Sequence, residues 1–388
     1  MENRPAAARR FAPTALMLGN VVTGCAVLAP AGMLKELSEG LDVSIRTAGL
    51  LITFGAIVLC VGSPVTAWLT SRIERRMLLS VTLGALAASN IASAFAPDYA
   101  SLLGLRLVML AIGVIYTPQA AGTAAMIVPE TRRGSTVAYV FLGWSLAAAI
   151  GLPLIALVAH RYGWRAAYGG IGALGIVSLL LLTWRLPRGL LGAPVQLRTW
   201  LDLARNRLVV LLLLITTFYM SGQFVIFTFM GPLLARLTGA GADAIGLVFA
   251  IYGAFGFIGV AVATRIVDGW GPYRTSLLSI SMVLAGIAGW ALTAGNYLLM
   301  ACSVAIWGLG FASSNSMQQV RLIAAAPPMA SASVSLNTSV LYIGQAIGSA
   351  VGGILYGGDF LYGTGYVATA FLALALVMVV LTRPRAAG

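Results

Sequence analysis

Residues 207–230 read RLVVLLLLITTFYMSGQFVIFTFM, and after the leading Arg207 the stretch carries no charge. About 20 apolar residues wound as an α-helix cross the ~30 Å hydrocarbon core of a bilayer. Runs of the same kind recur at about 11–33, 45–68, 77–95, 100–127, 137–159, 166–186, 244–265, 274–293, 297–320, 331–356 and 364–382. With 207–230, these make twelve candidate spans, numbered 1 to 12 in chain order. Composition agrees. Of 388 residues, 60% are hydrophobic and 9% charged, where a soluble domain carries about 25% charged residues. The mean hydropathy is +0.94. So few charges cannot cover a soluble surface of this size. That excludes a soluble enzyme, a disordered chain and a disulfide scaffold. A β-barrel would show runs of about 10 residues of alternating polarity instead.

The charges order the spans. Net charge is +13, from 24 basic and 11 acidic residues. With the N-terminus cytoplasmic, eighteen basic residues fall in inside segments, among them Arg72, Arg75, Arg76, Arg185, Arg188, Arg205, Arg207, Arg274 and Arg321. Five, Lys35, Arg46, Arg161, Arg165 and Arg236, fall outside. Such a bias marks cytoplasmic loops and places both termini inside. It also accounts for the basic pI without nucleic acid, because no basic cluster lies outside the short loops. The expected location is a bacterial inner membrane, crossed many times. Arg9-Arg10, an apolar run and then Val22-Thr23-Gly24-Cys25 imitate a lipoprotein signal. Cleavage there would leave eleven spans, against the charge count.

Metal and catalytic chemistry have little material. Cys25, Cys60 and Cys302 each lie in an apolar run, and His160 is the single histidine. No metal spacing, Ser/His pair or phosphate-binding loop occurs. Neither a metal nor a cofactor is expected, and the chain reads as no enzyme.

The stretch 187–206, with Pro187, Gly189, Gly192 and Pro194, divides six spans from six. The halves, 1–186 and 207–388, align at an offset near 197. Ser71 matches Asp268 and Gly151 matches Gly348. Parallel six-helix repeats around an axis along the membrane normal bind substrate between the halves and expose it alternately. The expected fold is an all-α membrane protein: twelve transmembrane helices in two pseudo-symmetric six-helix bundles around a central cavity.

These residues resemble the major facilitator superfamily over essentially the whole chain. The family's loop after span 2 carries a G-x-x-x-D-R-x-G-R-R-like signature. Here Arg72, Arg75 and Arg76 match, while Ala67, Ser71 and Glu74 replace the first Gly, the Asp and the second Gly. The copy after span 8 keeps Asp268, Gly271 and Arg274, with Thr264 for the first Gly. The resemblance implies a carboxylate–arginine latch that holds in one conformer and breaks in the other. The first copy has lost its carboxylate. Its arginines then serve either as gating residues or as topology anchors, and Asp268 with Arg274 is the better latch. Arg106, in span 4, matches the Arg of an Arg-x-x-Gln-Gly motif tied to proton transfer in the family's exporters. Met109 and Leu110 hold the other two positions. A buried charge in a bilayer is costly and is functional by default. The alternative is that Arg106 bonds carbonyls of span 1 or snorkels outward. Span 5, with Gly143, Gly151 and Pro153, and then Gly163-Trp164-Arg165, looks like the antiporter signature of the family's drug, sugar and nucleoside exporters. Gly344, Gly348 and Gly352 in span 11 form a close-packing face.

In the family, spans 1, 4, 7 and 10 face the cavity. The same spans carry polar and aromatic stripes here. Span 1 has Asn20 and Thr23, and span 4 has Thr117 and Gln119 beside Arg106. Tyr219, Gln223 and Phe227 share one face of span 7, and Trp307, Phe311, Asn315 and Gln319 share one face of span 10. Asn337 and Gln345 stand eight apart in span 11. Each of these is a candidate for substrate contact or for interhelical hydrogen bonding. As a set they suit a small uncharged or amphipathic organic molecule. All eleven acids fall outside the spans as drawn. Glu36, Glu39 and Asp42 are the proton-site candidates if span 1 ends later. The resemblance points to a monomeric proton-coupled exporter with lipid around it. Uptake or facilitated diffusion of an organic anion on Arg106 is the alternative, since no carboxylate lies in the membrane.

Overall fold

A computed structural model describes residues 11–70, 72–129, 133–191, 203, 205–326 and 330–383, and the side chain of Asp268 lies outside that description. Twelve helices in it are long and apolar enough to cross a membrane. They begin with Ala12–Gly32 and Ile45–Thr66 and end with Leu336–Gly357 and Leu361–Leu381. Boundaries follow local chemistry. Ser44, Glu74, Asp98, Asn206 and Asn296 each cap a helix N-terminus by accepting a backbone N–H, which satisfies donors that the first turn leaves free. Spans 8 and 9 follow each other through Gly271, whose φ of 77° only glycine adopts readily.

The repeat seen in the sequence is present in the contacts. The Tyr99 hydroxyl donates to the Thr47 carbonyl at 2.8 Å, and the Tyr297 hydroxyl donates to the Ala244 carbonyl at 2.9 Å. Asp98 and Asn296 cap the helices that follow them. Span 1 breaks at Met33 into a short helix, Leu34–Gly40, and span 7 breaks at Phe229 into another, Met230–Thr238. Each pair sits about 197 residues apart, so both halves build one fold twice. The two short helices touch each other across the halves, as elements on either side of a common pseudo-twofold axis must.

The halves also meet through spans 2 and 11 and through spans 5 and 8. The Thr53 hydroxyl donates to Ser349 Oγ at 3.0 Å. Gly49 lies against the ring of Phe229, and Gly357 against the side chain of Arg46. A β-carbon at Gly253 would run into the backbone of Ala149. These contacts lie at the middle of the spans and toward the end that carries Lys35, Arg46 and Arg236, away from the arginine-rich end.

Candidate functional site

Proline chemistry shapes span 1. Pro30 has no N–H, so the Ala26 carbonyl has no helical donor. Arg106 supplies one. Its Nη1 donates to Ala26 O at 3.0 Å, its Nη2 to Val27 O at 2.8 Å, and its Nε to Leu51 O in span 2 at 2.8 Å. Gly55 makes the room, since a β-carbon there would press on Leu110 and stand 3.6 Å from Arg106 Nε. Arg106 is 1% exposed, and its guanidinium ties spans 1, 2 and 4 inside the first half. Of the two readings the sequence left open, this is the geometry of the carbonyl-bonded one.

The first half also holds a polar chain. Asn20 Nδ2 donates to Val140 O at 2.9 Å, the Thr117 hydroxyl donates to Asn20 Oδ1 at 2.8 Å, and Trp144 Nε1 donates to Thr117 Oγ1 at 3.1 Å. The second half has its counterpart. The Thr216 hydroxyl donates to Asn337 Oδ1 at 2.7 Å, and Asn337 Nδ2 donates to Asn315 Oδ1 at 3.3 Å. Toward the end where the halves meet, Trp307 Nε1 donates to Gln223 Oε1 at 2.7 Å. Phe227 packs edge-on to Trp307 and Phe249, and Tyr252 lies against Phe227, Trp307 and Phe311.

Burial separates the fourteen candidate contact residues. Asn20, Thr23, Arg106, Gln119, Tyr219, Gln223, Phe227, Trp307, Asn337 and Gln345 are buried. Thr117, Phe311, Asn315 and Gln319 are partly exposed. Thr23 donates back to Gly19 O, and Gln119 donates to Thr70 Oγ1. Trp144, Thr216 and Tyr252 complete the constellation and were not singled out in the sequence as contact residues. Trp144 and Tyr252 stand in spans 5 and 8, which a stripe search over spans 1, 4, 7 and 10 passes over. The aromatic side chains of those two spans were the available signal.

The gating candidates are spread over both ends. Gly143 leaves no space for a β-carbon between itself and span 1 at Met17 and Asn20, and Gly151 meets the Cys25 sulfur. Before Pro153, residues Ala147–Gly151 form a π-helical turn, in which the Leu152 N–H reaches back to Ala147 O. That turn lies under the Gly253 crossing. Arg76 donates to Thr183 O at the end of span 6, Arg75 is buried, and Arg72 and Arg274 are exposed. The side chain of Asp268, on which its latch depends, falls outside the description, and Ser71 falls outside the described residues.

Span 1 ends at Gly32, so Glu36 and Glu39 stand on the short helix beyond it. Leu34 and Leu37 bury that helix. Glu36 Oε1 lies 3.9 Å from His160 Nδ1 at the end of span 5. Burial pushes the Glu36 carboxyl above its ordinary value, while its own backbone, His160 and Lys35 pull it down.

The family model described as Major Facilitator Superfamily matches residues 16–349. The chain belongs to that superfamily. It is therefore a transporter, not an enzyme, and a protein that crosses the membrane many times. It is 28% identical over 370 residues to the inner membrane transport protein YdhP of Escherichia coli K12, covering 94% of each chain. It is 25% identical over 353 residues to a probable sugar efflux transporter of Mannheimia succiniciproducens, covering 91% of this chain and 88% of that one. A solved bacterial homologue of the human lysosomal transporter Spinster, inward-facing and unoccupied, superposes over the whole of both chains with a TM-score of 0.72 at 15% identity.

Proposed function

We propose that this chain exports a small uncharged or amphipathic organic molecule across a bacterial inner membrane by proton-coupled alternating access. In this reading it works as a monomer with both termini cytoplasmic. The halves 1–186 and 207–388 rock about the loop 187–206, with substrate between them. The carrying observation is the chemistry of the partly exposed groups. Thr117 and Trp144 in one half, and Phe311, Asn315 and Gln319 in the other, offer hydroxyl, indole, ring and amide but no charge. Such groups orient a polyol or an amphipathic ring compound by hydrogen bonds and stacking. Similarity to a probable sugar efflux transporter supports the same class. The packed end then corresponds to the outer side and the arginine-rich end to the cytoplasm. Arg106, the counter-charge of the organic-anion alternative, is committed to three carbonyls in this conformation.

Proteoliposomes loaded with candidate sugars and amphipathic drugs, with a pH gradient imposed, test the proposal. Movement of one of them against its own gradient, abolished by a protonophore, is expected. If movement follows only the solute's own gradient, coupling fails. If organic anions alone move, the substrate class fails.

A further inference from the structure

At the arginine-rich end a cavity of about 410 Å³ opens between spans 3 and 6, lined by Glu74, Arg76, Met77, Ser80, Arg188 and Gly189. Its rim is built by two backbone ties. Glu74 accepts the Met77 N–H at 2.7 Å with one oxygen and the Gly189 N–H at 3.0 Å with the other. The Arg75 N–H donates to Leu190 O at 2.9 Å. Gly189, at φ 81°, permits the turn that brings the start of the loop after span 6 back onto span 3. Glu74 is thus a cap whose two oxygens are both engaged.

The rest of the lining selects an anion. Arg76 is held in place by its bond to Thr183 O, and Arg188 is exposed at the mouth. Ser80 Oγ is buried and has no hydrogen-bond partner. Behind them Arg75 is 7% exposed, and its Nε and Nη1 have no partner. The flank of the cavity is apolar. Met77 and Val81 lie one turn apart on span 3, as do Leu180 and Trp184 on span 6, and all four are about 60% exposed or more. Arg185 lies over the Trp184 ring at 3.7 Å, the pairing of basic and aromatic groups that marks the head-group level of a bilayer.

A soluble anion has no use for the exposed apolar stripes, and a neutral lipid has none for the guanidinium pair. We infer that this cavity is a head-group site for an anionic glycerophospholipid. Its phosphate sits between Arg76 and Arg188, and its acyl chains lie along Met77, Val81 and Leu180. The inference takes from the proposed function only that this end lies at a leaflet surface. The bound lipid braces span 3, span 6 and the start of the central loop together.

Native mass spectrometry of the full chain in neutral detergent, titrated with phosphatidylglycerol, phosphatidylcholine or inorganic phosphate, tests this. Retention of phosphatidylglycerol over phosphatidylcholine is expected. Arg188→Gln should weaken phosphatidylglycerol by about fivefold, since a basic group near a membrane contributes on the order of 1 kcal/mol. Arg76→Gln/Arg188→Gln should weaken it further, and phosphatidylcholine should not respond. Thermal melting of each variant without lipid checks that the fold persists. Equal binding of both lipids, or unchanged phosphatidylglycerol binding in the double variant, overturns the site. Phosphate competing as well as the lipid assigns the cavity to a free anion and overturns the lipid. No gradient is used, so a failure of proton coupling leaves this result unaffected.

Discussion

Arg106 shows how one residue type resolves into one role. A guanidinium carries five donors in a fixed fork, and three are spent on carbonyls of two neighbouring spans. One of those carbonyls was released by Pro30. Arg106→Met leaves Ala26 O without a donor in a water-poor interior, and a buried polar group so orphaned costs about 1–3 kcal/mol. The variant should melt several degrees below the parent in detergent. Arg106→Lys should recover only part, because one ammonium cannot bridge both spans. If Arg106→Met melts with the parent, the strut is not structural. At Glu36 the sign runs the other way from a salt-bridged acid. Its folded carboxyl holds its proton above the ordinary value of 4.5, so the folded state binds more protons than the unfolded one there. Stability is therefore lost as pH rises from that value through the raised folded one. Melting curves taken between acid and neutral pH should show that decline, and Glu36→Gln should flatten it. An unchanged slope in the variant would assign the dependence to another group.

Among the elements, span 5 has an irregularity with a visible cause. Pro153 cannot bond back to Ala149, and the backbone answers with a π-helical turn over Ala147–Gly151. The widened turn sits where the backbone of Ala149 meets Gly253 of span 8. Gly253→Val puts atoms where that backbone already is, so it should force spans 5 and 8 apart and disfavour the packed state. Transport should slow by about tenfold, which corresponds to roughly 1.4 kcal/mol in the barrier. A rate equal to the parent's would mean the crossing carries no gating energy. The glycines of span 11 pack in the same way, with Gly344, Gly348 and Gly352 set against the carbonyls of Thr217, Ser221 and Val225. They were legible in the sequence as a small-residue face, but the partner helix was not.

At the scale of the molecule, the proposed alternating access requires that the packed end come apart. Thr53 and Ser349 stand across the halves with their hydroxyls 3.0 Å apart. With Cys25, Cys60 and Cys302 replaced by serine or alanine, Thr53→Cys with Ser349→Cys should oxidise to a disulfide. That bond should stop transport in proteoliposomes, and a reductant should restore it. Full transport by the oxidised protein would show that the halves do not part here.

The sequence alone determined the class, the number of spans, the two-fold repeat and the sidedness of the charge. Each is a local or summed property: an apolar run either reaches across hydrocarbon or does not, and arginines accumulate at one end of the helices whatever their packing. Sequence also marked Arg106 and the amide stripes as exceptional, because polar groups are scarce in these spans. Only the tertiary structure decided what each exception does. Ten of the fourteen stripe residues are buried, several of them hydrogen-bonded within their half, and four are partly exposed. Glu74, a departure from the family's glycine, proves to cap span 3 and hold Gly189. A polar side chain between helices is satisfied by whichever partner the helix crossing brings near, over separations such as 296 residues for Thr53 and Ser349. Periodicity along one helix fixes which face such a residue occupies, but the crossing fixes what that face meets.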